Sequence, residues 1–434
     1  MGPMFLVMFG LMSSVGMFVP AVAFALVLLQ FPLELVLQSA VPVLVTTSWG
    51  NQLTNYVIGF VTVIAVGKSL IGAPHPLAGF FSPAWACAVG VFVWGSISVV
   101  WSPAIEEATK IIATSSPNAA VALFIAPLLV SDVAALRRIW TCSLFVGLAL
   151  CVAMLVSPDF TMRHGRLGFA FGSATSWSNS LAVGEVGGVT LLLGALASGQ
   201  YFGRFSLVIR VASILLGGAV AVLSGSRGQT FYAVALAVLM TPMSVQLRNA
   251  RSFIGTAVVS LLGLGAVAFI IQTSLTSWEM NRFSVDALLY GQSSGGSRLA
   301  NVVALAQEWA ARPYAWAFGL GFYAFHVLPL TSFDIYSHVL FADLIFELGI
   351  PGAAMGFTVV VTAARASARL FTRFREDPTS RTSVAILSAI ALYQTLLINK
   401  QGFLYSSMWW FMLLVLIVRL DRRAALSVEE SGGI

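Results

Sequence analysis

The chain alternates long apolar runs with short polar breaks, and most of the runs are too long to be buried strands. A bilayer core of about 30 Å takes about 20 residues of apolar helix. Runs near that length recur at 55–74, 83–101, 117–131, 139–157, 179–198, 207–224, 229–243, 253–272, 338–364, 383–399 and 404–420. The first 48 residues are apolar throughout and broken by Pro20, Pro32 and Pro42, which leaves open one kinked span or two tight ones. The pattern predicts an all-α, polytopic membrane protein of about 12 transmembrane helices with one large helical loop. The expected order is an N-terminal transmembrane bundle (1–272), a polar interruption with an amphipathic helix (273–337), and C-terminal transmembrane helices (338–434).

Composition narrows the function. The chain is 58% hydrophobic and 9% charged, where a soluble domain carries about 25% charged residues. Apolar sequence begins at Met4 with no basic residue before it, so no removable signal peptide is expected. Cys87, Cys142 and Cys151 all lie in apolar runs and read as core residues. The four histidines are scattered and have no metal-ligand spacing. No G-x-x-x-x-G-K-[ST] loop occurs, which argues against an ATP-driven pump. A secondary transporter would carry partnered charges near the midplane. The candidates here, Lys68, Glu185 and Arg210, form no evident pair. Membrane lipids are expected partners and nucleic acid is not.

Arginines orient the spans. Arg137/Arg138, Arg204, Arg248/Arg251, Arg365 to Arg381 and Arg419 to Arg423 fall in alternate connections, which the positive-inside rule assigns to the cytoplasm. The 102–116 turn, the 158–178 loop, the Ser224–Arg227 turn, the 273–337 segment and the Asn399–Gln401 turn then face outward. That side still holds Arg163, Arg166, Arg227, Arg282, Arg298 and Arg312. Arginines at an outward membrane border point to an anionic ligand.

Four motifs carry candidate chemistry, each with a plain structural alternative. His338 lies in TSFDIYSHVLFADLIFELGIPG. Thr331 and Asp334 have capping-box spacing, so a helix is expected from about 332, with His338 four residues beyond Asp334. Such a histidine serves as a general base or simply as an interface residue, and Asp334 orients it or only caps the helix. Arg227 lies in LSGSRGQ, where it grips an anion at a helix start or reaches headgroups. Arg163 and Arg166 flank His164 in TMRHGRLG, a pyrophosphate site or an interface anchor. Arg298 follows Ser297, the expected cap of an amphipathic helix 298–312 whose apolar face would lie along the bilayer. A cation there opposes the helix dipole, which fits an anionic partner or pairing with Asp286 or Glu308.

Taken in order, Trp101-Ser-Pro103, Ser224–Gly228, Ser297-Arg298, Pro313…Gly319-Leu-Gly321 and His338…Glu347-Leu-Gly-Ile-Pro-Gly352 resemble the O-antigen ligase and polysaccharide polymerase superfamily of bacterial inner membranes. The resemblance implies an inverting glycosyltransferase without metal or cofactor. It would move a glycan from undecaprenyl pyrophosphate to a hydroxyl at the periplasmic face. The acceptor is lipid A–core in ligases and another lipid-linked glycan in polymerases. The family's loop histidine falls on His338 and its two arginines on Arg227 and Arg298, with Arg163 or Arg166 assisting. Many relatives have asparagine after the histidine, whereas Val339 stands here. Only 273–337 is a long outward loop, which favours a ligase over a polymerase; a transporter of lipid-linked glycans or solutes is the alternative from another class.

Overall fold

The computed structural model describes residues 2–41, 43–46, 50–72, 75–163, 166–171, 176–177, 180–197, 201–244, 254, 294–328 and 337–432. Apart from Ile254, the expected span 253–272 lies outside the described residues. What is described is helical except for one small sheet. Among the described residues, seven helices are long and apolar enough to cross a membrane, or eight with one bent pair counted as a single span. The apolar helix Ser180–Leu196 is shorter than these. The chain is thus a helical membrane protein.

The chain forms two compact units. The first is drawn from Met1–Pro76, Leu129–Val285 and Leu370–Tyr393. Its beginning is broken where the early prolines fall. Helices Pro20–Leu28 and Gln30–Ala40 bend by 78° at their junction. Pro20 opens the first, and Pro32 falls in the first turn of the second, where a missing N–H has no intrahelical partner to lose. Helix Ser180–Leu196 is almost entirely buried and packs against Ser206–Leu223 through glycine. A Cβ on Gly187 would stand 2.6 Å from the Gly217 carbonyl, and one on Gly217 would stand 2.7 Å from the Gly187 carbonyl. Small residues at this spacing let two membrane helices touch backbone to backbone.

The 158–178 segment, expected only as a loop, contains three antiparallel strands: β1 (Phe160–Arg163), β2 (Arg166–Phe171) and β3 (Ser176–Trp177). Phe160 pairs with Phe169, and their rings meet at 6.0 Å.

The second unit is drawn from Leu77–Leu128, Asp286–Arg369 and Gln394–Ile434. The 102–116 segment is not a turn, because helix starts at Ile105 and continues in helical turns to Leu129. Several of its polar residues are satisfied along the helix itself. Lys110 pairs with Glu106 at 2.8 Å, and Thr109, Thr114 and Ser116 donate to carbonyls one turn back. Arg419 is buried and donates to the Pro127 carbonyl at 2.7 Å. Arg369, one of the expected headgroup-facing stripe, pairs with Asp421 at 2.6 Å.

Candidate functional site

Three motifs of the resemblance, far apart in sequence, meet in the second unit. Gly319 and Gly321 adopt φ of +82° and +99°, a region closed to most side chains. The turn they make lies against two other segments. A Cβ on Gly321 would be 2.5 Å from the Ser102 Cα, and one on Gly319 would be 2.1 Å from the Glu347 carbonyl oxygen. Trp101 donates its indole N–H to the Gly319 carbonyl at 3.2 Å. Ser102 donates to the Phe322 carbonyl at 2.7 Å, while Ser98 accepts the Phe322 N–H at 2.9 Å. From the other side, the amides of Leu320 and Gly321 donate to the carbonyls of Phe346 and Glu347, both at 2.9 Å.

Glu347 completes this knot. Its carboxylate is 4% exposed and accepts the backbone N–H groups of Tyr323 and Phe325, each at 3.0 Å. Asp343, one helical turn earlier, is 3% exposed and accepts the Ser337 hydroxyl. Both precede the span Gly349–Arg373. Burial pushes both carboxyls above their ordinary range, and the proximity of Glu347 adds to the rise at Asp343. The turn also has its own small core. Leu305, Ala315, Leu320, Ala324, Phe325 and Leu328 pack together, with Trp309 and Phe346 against them.

His338 sits beside this knot, but not as expected. It is half-buried and its φ is +66°, so it lies in a left-handed link and not in the second turn of a helix. Helix begins only at Leu340. The shared helical face with Asp334 is therefore not formed at His338, and Asp334 itself lies outside the described residues. The carboxylates that the structure does place in this segment are Asp343 and Glu347. Two acids four residues apart inside an apolar run were the available signal for them.

Helix forms over Ser294–Ala310, so Ser297 is not its cap and Arg298 falls in its second turn. The apolar face is partly committed, since Leu305 is fully buried in the knot's core and Trp309 packs on it. Glu308 pairs with Arg312 at 3.0 Å. The side chain of Arg298 lies outside the described residues.

In the first unit, the tight turn at 224–227 is present. Gly225 takes φ of +65° and Ser224 accepts the Ser226 N–H at 3.2 Å. Arg227 opens helix Arg227–Ser244; its side chain lies outside the described residues. Gln229, two residues on, is buried and donates to the Leu181 carbonyl at 2.7 Å. Arg163 and Arg166 are brought together, because they are direct cross-strand partners on β1 and β2. Among the described residues, no group of three His, Cys, Asp or Glu side chains gathers as metal ligands.

Compared with models of known protein families and with curated protein sequences, the chain matches none. Its class is accordingly defined by its own features: a helical membrane protein with a glycine-rich turn locked onto the buried Glu347 carboxylate.

Proposed function

We propose that the chain is a membrane glycosyltransferase using a polyprenyl-pyrophosphate-linked donor, and within that class an O-antigen ligase. The observation that carries the reading is the backbone of His338. A non-glycine residue at positive φ is uncommon, and such residues concentrate at functional sites. This one is the histidine that the resemblance assigns as base. It stands beside a knot that joins its own motif, through Glu347, to two others of the same resemblance. In this reading the chain has about twelve spans, lies in the bacterial inner membrane and works at the periplasmic face.

The chemistry follows from residue type. His338 takes the proton of the acceptor hydroxyl, and the oxygen attacks the anomeric carbon as the bond to pyrophosphate breaks. Attack opposite the leaving group inverts that carbon. Arg227 and Arg298, assisted by Arg163 and Arg166, bind the pyrophosphate and stabilise its growing charge. The acceptor is lipid A–core. No cofactor or metal takes part.

The test is glycan transfer in membranes carrying His338→Ala or Arg227→Ala. Loss in both is expected, whereas near-native turnover in both overturns the reading. Transfer abolished by a chelator and restored by Mg²⁺ also counts against it. In a deletion strain, a ligase leaves lipopolysaccharide as core alone, with glycan held on the lipid carrier. Core plus one repeat unit would instead assign an O-antigen or exopolysaccharide polymerase. Flux with no new glycosidic bond would assign a transporter.

A further inference from the structure

His338 is a single link between two pinned neighbours. On its N-terminal side, Ser337 is fully buried and donates its hydroxyl to the Asp343 carboxylate. The same hydroxyl oxygen accepts the Val339 N–H at 3.0 Å. Ser337 thereby reaches across His338 in both directions, to the next amide and to the helix beyond.

The C-terminal side is equally fixed. The Val339 carbonyl accepts the N–H groups of Ala342 and Asp343 at 3.0 and 3.1 Å. The Phe341 N–H donates to the Asn399 side-chain carbonyl at 3.1 Å, and the Asn399 amide nitrogen donates to the Thr395 carbonyl at 2.8 Å. With residues 337 and 339–343 anchored, the left-handed φ of His338 has no room to relax. The direction of its Cα–Cβ bond is fixed with it. A buried carboxylate is costly without partners; Asp343 has one in Ser337, and that bond closes the ring around the histidine.

We propose that Ser337 and Asp343 are positioning residues that hold the His338 imidazole towards the acceptor hydroxyl. This rests on the glycosyltransferase reading, with His338 as base. It also replaces the expected orienter: Asp343, on the C-terminal side of the histidine, takes the role that spacing had assigned to Asp334. The two act on the histidine's backbone, so they contribute to turnover and not to binding of the lipid-linked donor.

The test uses the full chain in membranes of its native host, with their lipid-linked glycan as donor and lipid A–core as acceptor. Ser337→Ala and Asp343→Ala are expected to lower kcat at least tenfold at unchanged donor KM. Asp343→Asn keeps an acceptor oxygen for the Ser337 hydroxyl and is expected to retain most of the turnover. The Ser337→Ala/Asp343→Ala double variant is expected to be no worse than the weaker single variant, because the Ser337–Asp343 hydrogen bond is already lost in each single variant. Amide exchange at Val339 is expected to quicken in Ser337→Ala and stay slow in Asp343→Asn. These two milder variants carry the test if Asp343→Ala fails to fold. The proposal is overturned if His338→Ala is inactive while Ser337→Ala and Asp343→Asn both match the native kcat and Val339 exchange is unchanged. Near-native transfer by His338→Ala would overturn the glycosyltransferase reading itself, and the positioning role with it.

Discussion

The Glu347 carboxylate accepts the backbone N–H of Tyr323 at 3.0 Å, and its second oxygen holds the N–H of Phe325 at the same distance. Tyr323 needs this support. Its φ is +65°, its ring stacks on His326 at 5.1 Å, and it follows two glycines that pass close to neighbouring backbone. One acidic side chain therefore ties down two amides of the 319–325 turn.

Replacing Glu347 with alanine removes both acceptors at once. Each buried N–H left unpaired costs about 1–3 kcal/mol. Glu347→Ala is therefore expected to lower the unfolding temperature of the detergent-purified protein by several degrees or to prevent its accumulation. Tryptophan fluorescence is a suitable probe, since Trp101 is bonded to this turn. An unchanged unfolding temperature would show that the turn does not depend on Glu347.

The same carboxyl predicts a pH dependence. Burial raises it from 4.5 to about 7, against which the two N–H bonds act only in part. An acid whose folded value is raised ionises more readily in the unfolded chain, so its contribution is full below about 4.5 and is lost as pH rises towards 7. Thermal stability is expected to fall across that window. The fall is expected to flatten in Glu347→Gln, which cannot ionise. A stability profile equally steep in that variant would assign the titration to another group.

Much of this fold could be read from the chain because membrane helices announce themselves by length. The expected spans at 83–101, 139–157 and 207–224 correspond to the apolar helices Pro83–Trp101, Val133–Val156 and Gly203–Leu223. Hydropathy was blind where polar residues satisfy one another, as along Ile105–Ala120, whose Glu106–Lys110 pair and back-bonded hydroxyls allow helix through a polar stretch. It was also blind to the paired strands β1 and β2, which lie in a stretch with no long apolar run. At the candidate site, residue types led to His338, but capping-box spacing misplaced its backbone. The left-handed link is spanned by the Ser337–Asp343 bond, a contact across six residues that helix and strand periodicity do not register.

Helix packing in the first unit gives a sharper test of geometry. Gly187→Ala would put a methyl carbon 2.5 Å from the Ala221 nitrogen and 2.6 Å from the Gly217 carbonyl oxygen. Both are backbone atoms of a helix and cannot swing aside. Overpacking of this kind costs roughly 1–3 kcal/mol. Gly10→Ala, where a Cβ meets nothing within 4 Å inside helix Gly2–Gly16, is the matched control and is expected to hold or slightly raise the unfolding temperature. Equal effects at the two positions would contradict the close approach of Ser180–Leu196 to Ser206–Leu223.

Arg163 and Arg166 face each other across β1 and β2. Like charges directly opposite on paired strands repel, and an opposite-charge pair is worth roughly 0.2–1 kcal/mol relative to a neutral one. Judged by stability alone, Arg163→Glu is therefore an improvement, and it is expected to hold or slightly raise the unfolding temperature. Judged by the proposed function it is a loss, because a carboxylate replaces a cation where pyrophosphate is to be bound. A charge-assisted hydrogen bond contributes about 1.5–3 kcal/mol, so the donor KM is expected to rise about tenfold or more. Arg163→Gln, neutral and of similar length, is expected to fall between the two. Measuring unfolding temperature and donor KM on the same three proteins separates a structural role from a binding one. A stable Arg163→Glu protein with unchanged donor KM would remove this hairpin from the pyrophosphate site.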